Sequence, residues 1–354
     1  MPLRHSRGGR PAYNTKLHIV RAGGSRPDCP DPLLMPRADS LYVRLPNWVG
    51  DACMCLPALD LLRREGYPLV LCGRSWARDL FSGLTAGDAF VALGRSFGEN
   101  RRTLRQSLAG RGPVRGLVFP NSLSSAALFR LAGIRSAGYR GDGRSLLLGW
   151  ALPKPRGLHE VEVFYRLAHD TLRRWQPGTG DLPPTPGPRL ALPLTATHHE
   201  AAARALAQAG ITGRFIVLAP IAAGLHHGQP KAWPGFGDLA QALGQRGHTC
   251  VICPPAHEAE ASRAAAPSAT VLPPLPLGAF AALTARAAAV VCNDSGTSHV
   301  AAAAGARQIT LFGVTRRERT GPWSPDAVCL GAEGQWPALS DVLAAVEQLA
   351  GAAT

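Results

Sequence analysis

Short apolar runs, each closed by a turn and followed by a helical stretch, constrain this chain more than any other feature. From Ser40 onward the candidate strands are Leu41–Leu45, Pro68–Cys72, Ala89–Leu93, Gly116–Phe119 and Ser136–Tyr139, with helices such as Ala52–Arg64 and Ser122–Leu131 between them. The alternation resumes with Phe215–Leu218, Thr249–Cys253, Ala269–Leu272, Ala288–Cys292 and Gln308–Phe312, connected by helices at Pro234–Gln245, Leu277–Ala287 and Ser298–Ala304. Short apolar strands spaced by helices indicate a parallel sheet covered on both faces. A Pro- and Gly-rich stretch, residues 176–193, separates the two sets and reads as an interdomain linker. The expected fold is therefore α/β, with two doubly wound domains at 39–175 and 194–337. Such a pair places a cleft between the carboxyl ends of its sheets, where ligands bind. Residues 1–38 are rich in Arg, Gly and Pro without hydrophobic period and are expected to be a disordered basic tail. The last helix, within 338–354, is a candidate to pack back on the first domain.

With 354 residues there is enough chain for two cores of ordinary size. A hydrophobic fraction of 46% against 18% charged residues excludes a wholly disordered protein. Nowhere do 18 apolar residues run together, so no membrane-spanning helix is expected. The first 20 residues carry Arg4, Arg7, Arg10 and Lys16 but no apolar core of signal-peptide length, so a cytoplasmic protein is expected. The cysteines at 29, 53, 55, 72, 250, 253, 292 and 329 read as buried hydrophobes in a reducing cytosol. Cys250 and Cys253 have zinc spacing but no second pair, and His226-His227 lacks a third ligand; no metal site is expected.

The net charge of +14 is unevenly placed: residues 1–38 carry +5, residues 39–190 carry +9, and residues 191–354 are neutral. Two different ligands are implied, with a polyanion approaching the first half. Nucleic acid, an anionic membrane surface and a phosphorylated glycolipid all qualify, although arginine-rich surfaces are also common in an Ala/Arg/Gly-rich composition.

Four motifs fall in strand-to-helix loops. After the first strand, Arg44-Leu-Pro-Asn-Trp-Val-Gly-Asp51 puts Gly50 where backbone can approach a ligand and Asp51 where a helix starts. That carboxylate is either a helix cap or a general base facing the cleft. In Gly228-Gln-Pro-Lys231-Ala-Trp-Pro234, a lysine stands ahead of a helix, unfavourable for the helix alone and sensible if an anion lies between them. Asn293-Asp-Ser-Gly-Thr-Ser-His299 follows an apolar strand and opens an Ala-rich helix. Such a turn suits a phosphate, with Asp294 and His299 beside it, or is an ordinary capped turn. Gly138-Tyr-Arg140-Gly-Asp-Gly-Arg144, followed by Lys154 and Arg156, either grips phosphate or carboxylate groups or is a solvated basic loop. No Walker-type Gly-x-x-x-x-Gly-Lys-Ser/Thr is present, and Gly110-x-Gly112 precedes a strand, so neither a P-loop enzyme nor a dehydrogenase-type dinucleotide fold is supported.

The order of these motifs resembles the bacterial lipopolysaccharide heptosyltransferase family, glycosyltransferase family 9, over about Ser40 to Leu349. Arg44–Asp51 followed by Leu56-Pro57-Ala58-Leu59 is most similar to its heptosyltransferase II branch. The 228–234 and 293–299 motifs, with Phe312-Gly-Val-Thr and Pro322, resemble the family's donor-site signatures. The resemblance implies the two-domain GT-B fold and an inverting transfer of heptose from ADP-heptose to the lipopolysaccharide inner core, with no cofactor and no metal. It implies Asp51 as catalytic base. It implies Gly50, Lys231, Asp294, Ser295, Gly296, Thr297 and His299 on the donor side, and Arg140 and Arg144 toward the anionic acceptor. The loop after Pro220 departs from the family pattern, being longer and lacking Gly after Pro, so no donor contact is carried over to Ile221–His227. Rival readings are a GT-B enzyme using another nucleotide sugar and a non-catalytic basic protein of nucleic-acid or membrane surfaces. The aromatics do not interleave with the basic residues, which argues against nucleic acid. A peripheral contact with the inner face of the inner membrane is compatible with a lipid-anchored acceptor.

Overall fold

The computed structural model describes residues 40–85, 89–175, 181–222, 225–226 and 228–351, all within one compact unit. The strands of the first sheet are β1 (Leu41–Arg44), β2 (Leu69–Gly73), β3 (Phe90–Ala92), β4 (Val114–Val118), β5 (Ile134–Tyr139) and β6 (Trp150–Leu152). Next come β7 (Phe215–Ala219), a two-residue hairpin of β8 (Leu225–His226) and β9 (Gln229–Pro230), β10 (Thr249–Ile252), β11 (Thr270–Val271), β12 (Ala289–Asn293), β13 (Gln308–Leu311) and β14 (Val328–Leu330). The two large sheets run β3-β2-β1-β4-β5-β6 and β11-β10-β7-β12-β13-β14, and every pairing inside them is parallel. Counted within its own sheet, each shows the same doubly wound order. The strand order reverses between β1 and β4 and between β7 and β12, and ligands of open α/β sheets bind at that reversal. The loops after β1, β7 and β12 carry three of the four motifs.

The expected apolar strands are found, with β1, β2 and β12 buried along their whole length. Sequence periodicity missed the edge strands β6 and β14, which are only three residues long and partly exposed. The helix expected at Ala52–Arg64 is two helices, Val49–Met54 and Leu56–Arg64. Pro57 has no N–H to continue the ladder, and the chain breaks at Cys55. Helix Glu160–Trp175 buries Val161, Phe164, Leu167, Ala168 and Leu172, an i, i+3, i+4 stripe that packs on Leu56–Arg64.

Two further expectations meet the structure differently. The 1–38 segment and 176–180 lie outside the described residues, but 181–193 is no loose tether. Leu190 and Leu192 are buried, their N–H groups donate to Trp323 and Ala303 carbonyls at 3.2 and 2.9 Å, and Tyr165 donates to the Pro183 carbonyl at 2.8 Å. The last helix, Leu339–Ala350, does not return to the first sheet. Val342, Leu343 and Val346 join the core of the second sheet with Leu239 and Leu243, because its apolar stripe matches helix Phe236–Gln245 beside it.

The two halves are fastened where short helices cross. Helix Trp76–Leu80 packs on Leu277–Arg286, and Asp79 Oδ2 accepts from the Gly278 N–H at 2.6 Å, a carboxylate at the positive end of the partner helix. Helix Val49–Met54 packs on helix Gly296–Ala303. There a Cβ at Gly50 would sit 2.6 Å from His299 Cδ2, and a Cβ at Gly296 would sit 3.2 Å from Val49 Cβ. The first distance is one a real Cβ does not adopt, and the second is tighter than most Cβ contacts. Gly50→Ala should force the buried His299 ring aside and cost about 1–3 kcal/mol, the usual range for overpacking. The readout is the denaturant midpoint, and an unchanged midpoint would contradict the tight crossing.

Candidate active site

The site begins with how the β1 loop is held. Arg44 is buried, and its guanidinium donates to the Leu45 and Cys72 carbonyls and, at 2.7 Å, to Asn47 Oδ1. Burial lowers its pKa to about 10, which leaves it charged at neutral pH. The fastened loop ends at Trp48, where helix Val49–Met54 begins with no side-chain cap. Asp51 thus lies in the first turn of that helix and is half-buried. Burial raises its pKa above the ordinary carboxylate range, the negative Glu160 adds to the rise, and Lys154 opposes it.

Glu160 was not picked out from sequence. It opens helix Glu160–Trp175 and bridges the two halves, 3.3 Å from Lys154 Nζ and 3.1 Å from Arg319 Nη2. One residue earlier, His159 forms a cap: its Nδ1 accepts from the Val161 N–H at 3.2 Å while Glu162 Oε2 accepts from the His159 N–H at 2.9 Å. The sequence signal was present, a Glu three residues after the cap, but a histidine in the cap position hides it. With Nδ1 accepting, Nε2 carries the proton and donates to the Gly321 carbonyl at 3.1 Å. The ring also lies 4.8 Å from that of Trp323, and burial lowers its pKa.

From the other side, Asn293 ends β12 fully buried. Its Oδ1 accepts from the Trp233 N–H at 2.8 Å and its Nδ2 donates to the Pro220 carbonyl at 2.9 Å. This one side chain ties both ends of the connection after β7, which carries Lys231, to the end of β12. It was quoted from the sequence as part of its motif but given no role. Asp294 is buried, and its N–H donates to the Leu311 carbonyl at 3.1 Å. Ser295 caps the next helix, Oγ accepting from the Thr297 N–H at 3.3 Å, so the capping function open in the sequence is real. Gly296 abuts Val49 and Gly50.

His299 closes the constellation. It is buried, and its pKa falls to about 4, first through burial and then through the nearby His159 and Lys231. It is neutral at pH 7, with Nδ1 lacking a hydrogen-bond partner. Lys231 is half-exposed and has no ion pair among the described residues. The geometry thus gathers Gly50, Asp51, Lys231, Asp294, Ser295, Gly296, Thr297 and His299 around one crossing. The helix that carries Asp51 packs on the helix that opens at Ser295, and Lys231 lies near enough to His299 to lower its pKa.

Beside them opens a cavity of about 1050 Å³ lined by Arg140, Lys154, Arg156, Glu160, Glu318 and Arg319 among others. Arg140 is exposed at its rim. Arg144 is not available there. It is buried, and its five N–H donors go to the Tyr139, Asn121 and Arg140 carbonyls and to Asn121 Oδ1 and Asp142 Oδ2, at 2.7–3.4 Å. It holds the Gly141–Gly143 loop, where Asp142 takes a φ of +44°; the first-half cations that line the cavity are Arg140, Lys154 and Arg156 instead. Among the described residues no group of three or more His, Cys, Asp or Glu could hold a metal ion, and no helix is long and apolar enough to cross a membrane.

A profile of glycosyltransferase family 9 (heptosyltransferase) matches residues 101–343. The chain is similar to lipopolysaccharide heptosyltransferase 2 of Escherichia coli (strain K12), 28% identical over 306 residues covering 80% of this chain and 85% of the relative. The Salmonella typhimurium protein of the same name is 28% identical over 303 residues, again covering 80% and 85%. The structure of E. coli ADP-heptose lps heptosyltransferase II superposes with a TM-score of 0.69 and 25% identity, covering 88% of this chain and 98% of that one. A family 9 glycosyl transferase from Veillonella parvula, 16% identical, shares the fold with a TM-score of 0.73 over 89% and 98%. Two parallel α/β sheets joined at their carboxyl ends are the GT-B arrangement. Gly50 and Asp51 precede the span of the family profile, and the helix crossing shows where they lie. The chain belongs to glycosyltransferase family 9, the heptosyltransferase family.

Proposed function

We propose that this protein transfers heptose from ADP-heptose to a hydroxyl of the lipopolysaccharide inner core, with inversion at the anomeric carbon. The observation that carries the reading is the helix crossing itself. It sets the helix carrying Asp51 against the helix that opens at Ser295, next to a buried neutral imidazole whose pKa Lys231 helps to lower. The names of the E. coli relative and its structure support donor and acceptor class.

In the proposed reaction the ADP diphosphate lies against Lys231 and the Ser295–Thr297 turn. Thr297 also edges a notch at the ends of β7 and β10 that includes Glu258, whose carboxylate suits the hydroxyls of a ribose. The acceptor enters through the basic cavity lined by Arg140, Lys154 and Arg156. Asp51 takes the proton of the attacking hydroxyl, which approaches the anomeric carbon from the face opposite the diphosphate. The carbon–oxygen bond to ADP breaks, and the charge gained by the departing diphosphate is stabilised by Lys231 and the helix dipole. A desolvated carboxylate with a raised pKa is a stronger base than an ordinary one.

Asp51→Asn should lower kcat by about two to four orders of magnitude, the contribution of a positioned base, while the thermal shift produced by ADP-heptose persists. Full turnover in that variant would rule Asp51 out. Activity should fall as acid protonates Asp51, so the acid limb of kcat/KM stands above the ordinary carboxylate pKa of about 4. Glu160→Gln removes a like charge, lowers the Asp51 pKa, and should move that limb to lower pH. A limb that stays in place would separate the two groups. A donor other than ADP-heptose would show as a larger thermal shift with a UDP- or GDP-sugar.

Contact with an anionic membrane belongs to the same proposal. Trp48, Leu123 and Leu146 are 74%, 49% and 90% exposed and follow the neighbouring strands β1, β4 and β5 at their carboxyl ends. Apolar side chains beside a basic cavity suit a charged bilayer interface. Leu146→Asp should reduce co-sedimentation with phosphatidylglycerol vesicles while leaving turnover on a detergent-free, deacylated acceptor intact. Equal sedimentation of variant and wild type would remove this face from the membrane contact.

A further inference from the structure

At the end of the first sheet remote from Asp51, where β4, β5 and β6 begin, a cleft of about 270 Å³ is lined by Arg115, Arg135, Ser136, Trp150, Arg174 and Trp175. Arg115 and Arg135 are register partners on β4 and β5, Trp150 opens β6, and Arg174 and Trp175 end helix Glu160–Trp175. In a parallel sheet the first residues of all strands share one end, so this cleft stands a strand length away from the active-site loops.

Three observations distinguish it from ordinary arginine-rich surface. Among the described residues, none of the three guanidiniums meets a carboxylate. Asp170, which lines an adjoining cavity with Arg174, is paired with Arg166 and His169 at 3.7 and 3.1 Å. Two of the arginines are also positioned: the Arg115 guanidinium lies 5.4 Å from the Trp175 ring centroid, and the Arg135 stem crosses Gly149, where a Cβ would sit 2.4 Å from its Cγ. Finally, Ser136 is 1% exposed on the cleft wall and its Oγ has no hydrogen-bond partner, whereas buried hydroxyls ordinarily find one. The cluster Arg101, Arg102 and Arg105 on helix Phe97–Ser107 offers a contrast, a basic surface with no buried polar group among its lining residues.

We propose that this cleft is a second anion site, taking a phosphate group whose oxygens are gripped by Arg115, Arg135 and Arg174 and receive a hydrogen bond from the Ser136 hydroxyl. Guanidiniums pair with phosphate oxygens in bidentate fashion. Trp150 and Trp175 wall the cleft and suit an organic moiety attached to the phosphate. The phosphate is either free in solution, as diphosphate or a nucleotide, or carried on a lipid headgroup. The site is independent of the reaction proposed above, because no residue of the helix crossing contributes to it.

Isothermal titration of inorganic pyrophosphate into the full-length protein, with ADP present to occupy a donor site, tests it. Wild type should bind, Arg135→Gln should weaken binding about tenfold and Ser136→Ala severalfold, as expected for loss of charge-assisted hydrogen bonds, and the surface control Arg102→Gln should bind as wild type does. Absence of binding at millimolar pyrophosphate, or equal losses in Arg135→Gln and Arg102→Gln, would overturn the proposal. Vesicle flotation then assigns the source. If phosphatidic acid, but not phosphatidylcholine, competes with pyrophosphate in an Arg135-dependent manner, the phosphate is a headgroup; if neither competes, it is free, and both results presuppose the site. Loss of turnover in Asp51→Asn leaves these titrations unchanged, so failure here and failure of the transferase reading are separable.

Discussion

Everything in the site depends on two glycines at the crossing of two short helices. Gly50 lies against the His299 ring and Gly296 against Val49 and the Gly50 backbone. Each glycine sits just past a central strand of its own sheet, at the reversal of strand order. A side chain at Gly50 would displace the His299 ring, and one at Gly296 would crowd Val49. The contact also explains the buried His299: its ring fills the surface that Gly50 leaves open and is held neutral by burial and by the positive Lys231. The proposed catalytic geometry and the packing of the two halves share this contact.

Around that contact the polar groups are arranged by desolvation more than by pairing. Asp51 has its pKa raised chiefly by burial, with Glu160 adding and Lys154 opposing. Glu160 is fixed by Lys154 and by Arg319 from the other half, so a contact between the halves helps set the electrostatics of the proposed base. Asn293 does the equivalent work on the second sheet, holding the Lys231 loop through Trp233 and the β7 loop through Pro220. Glu160 acts on the proposed base through its charge, and Asn293 acts through the loop it holds.

The fold was largely legible because buried parallel strands are apolar end to end and cannot be mistaken for surface. What escaped were elements whose sequence carries little period: three-residue edge strands, the polar helix Phe97–Ser107, and the break at Pro57. Within the candidate site, Asp51, Lys231 and the 293–299 turn stand out in the sequence because these loops after strands combine glycine with charge; their catalytic and donor roles belong to the proposal. Arg144 was misread for a physical reason. An arginine in a Gly-rich loop has one composition whether it faces a ligand or holds the loop, and only its five internal hydrogen bonds distinguish the two. Glu160 and His159 were missed because their importance comes from contacts with residues 319–323, which are distant in sequence.

The central claim is a single displacement, with Asp51 on one face of the sugar and the diphosphate on the other. The most direct test is the anomeric configuration of the heptose after enzymatic transfer from ADP-heptose to a core-truncated lipopolysaccharide, read by NMR of the isolated product. The account predicts a configuration opposite to that of the donor. A retained configuration would contradict it, because retention requires a second displacement or an attack from the diphosphate's own face.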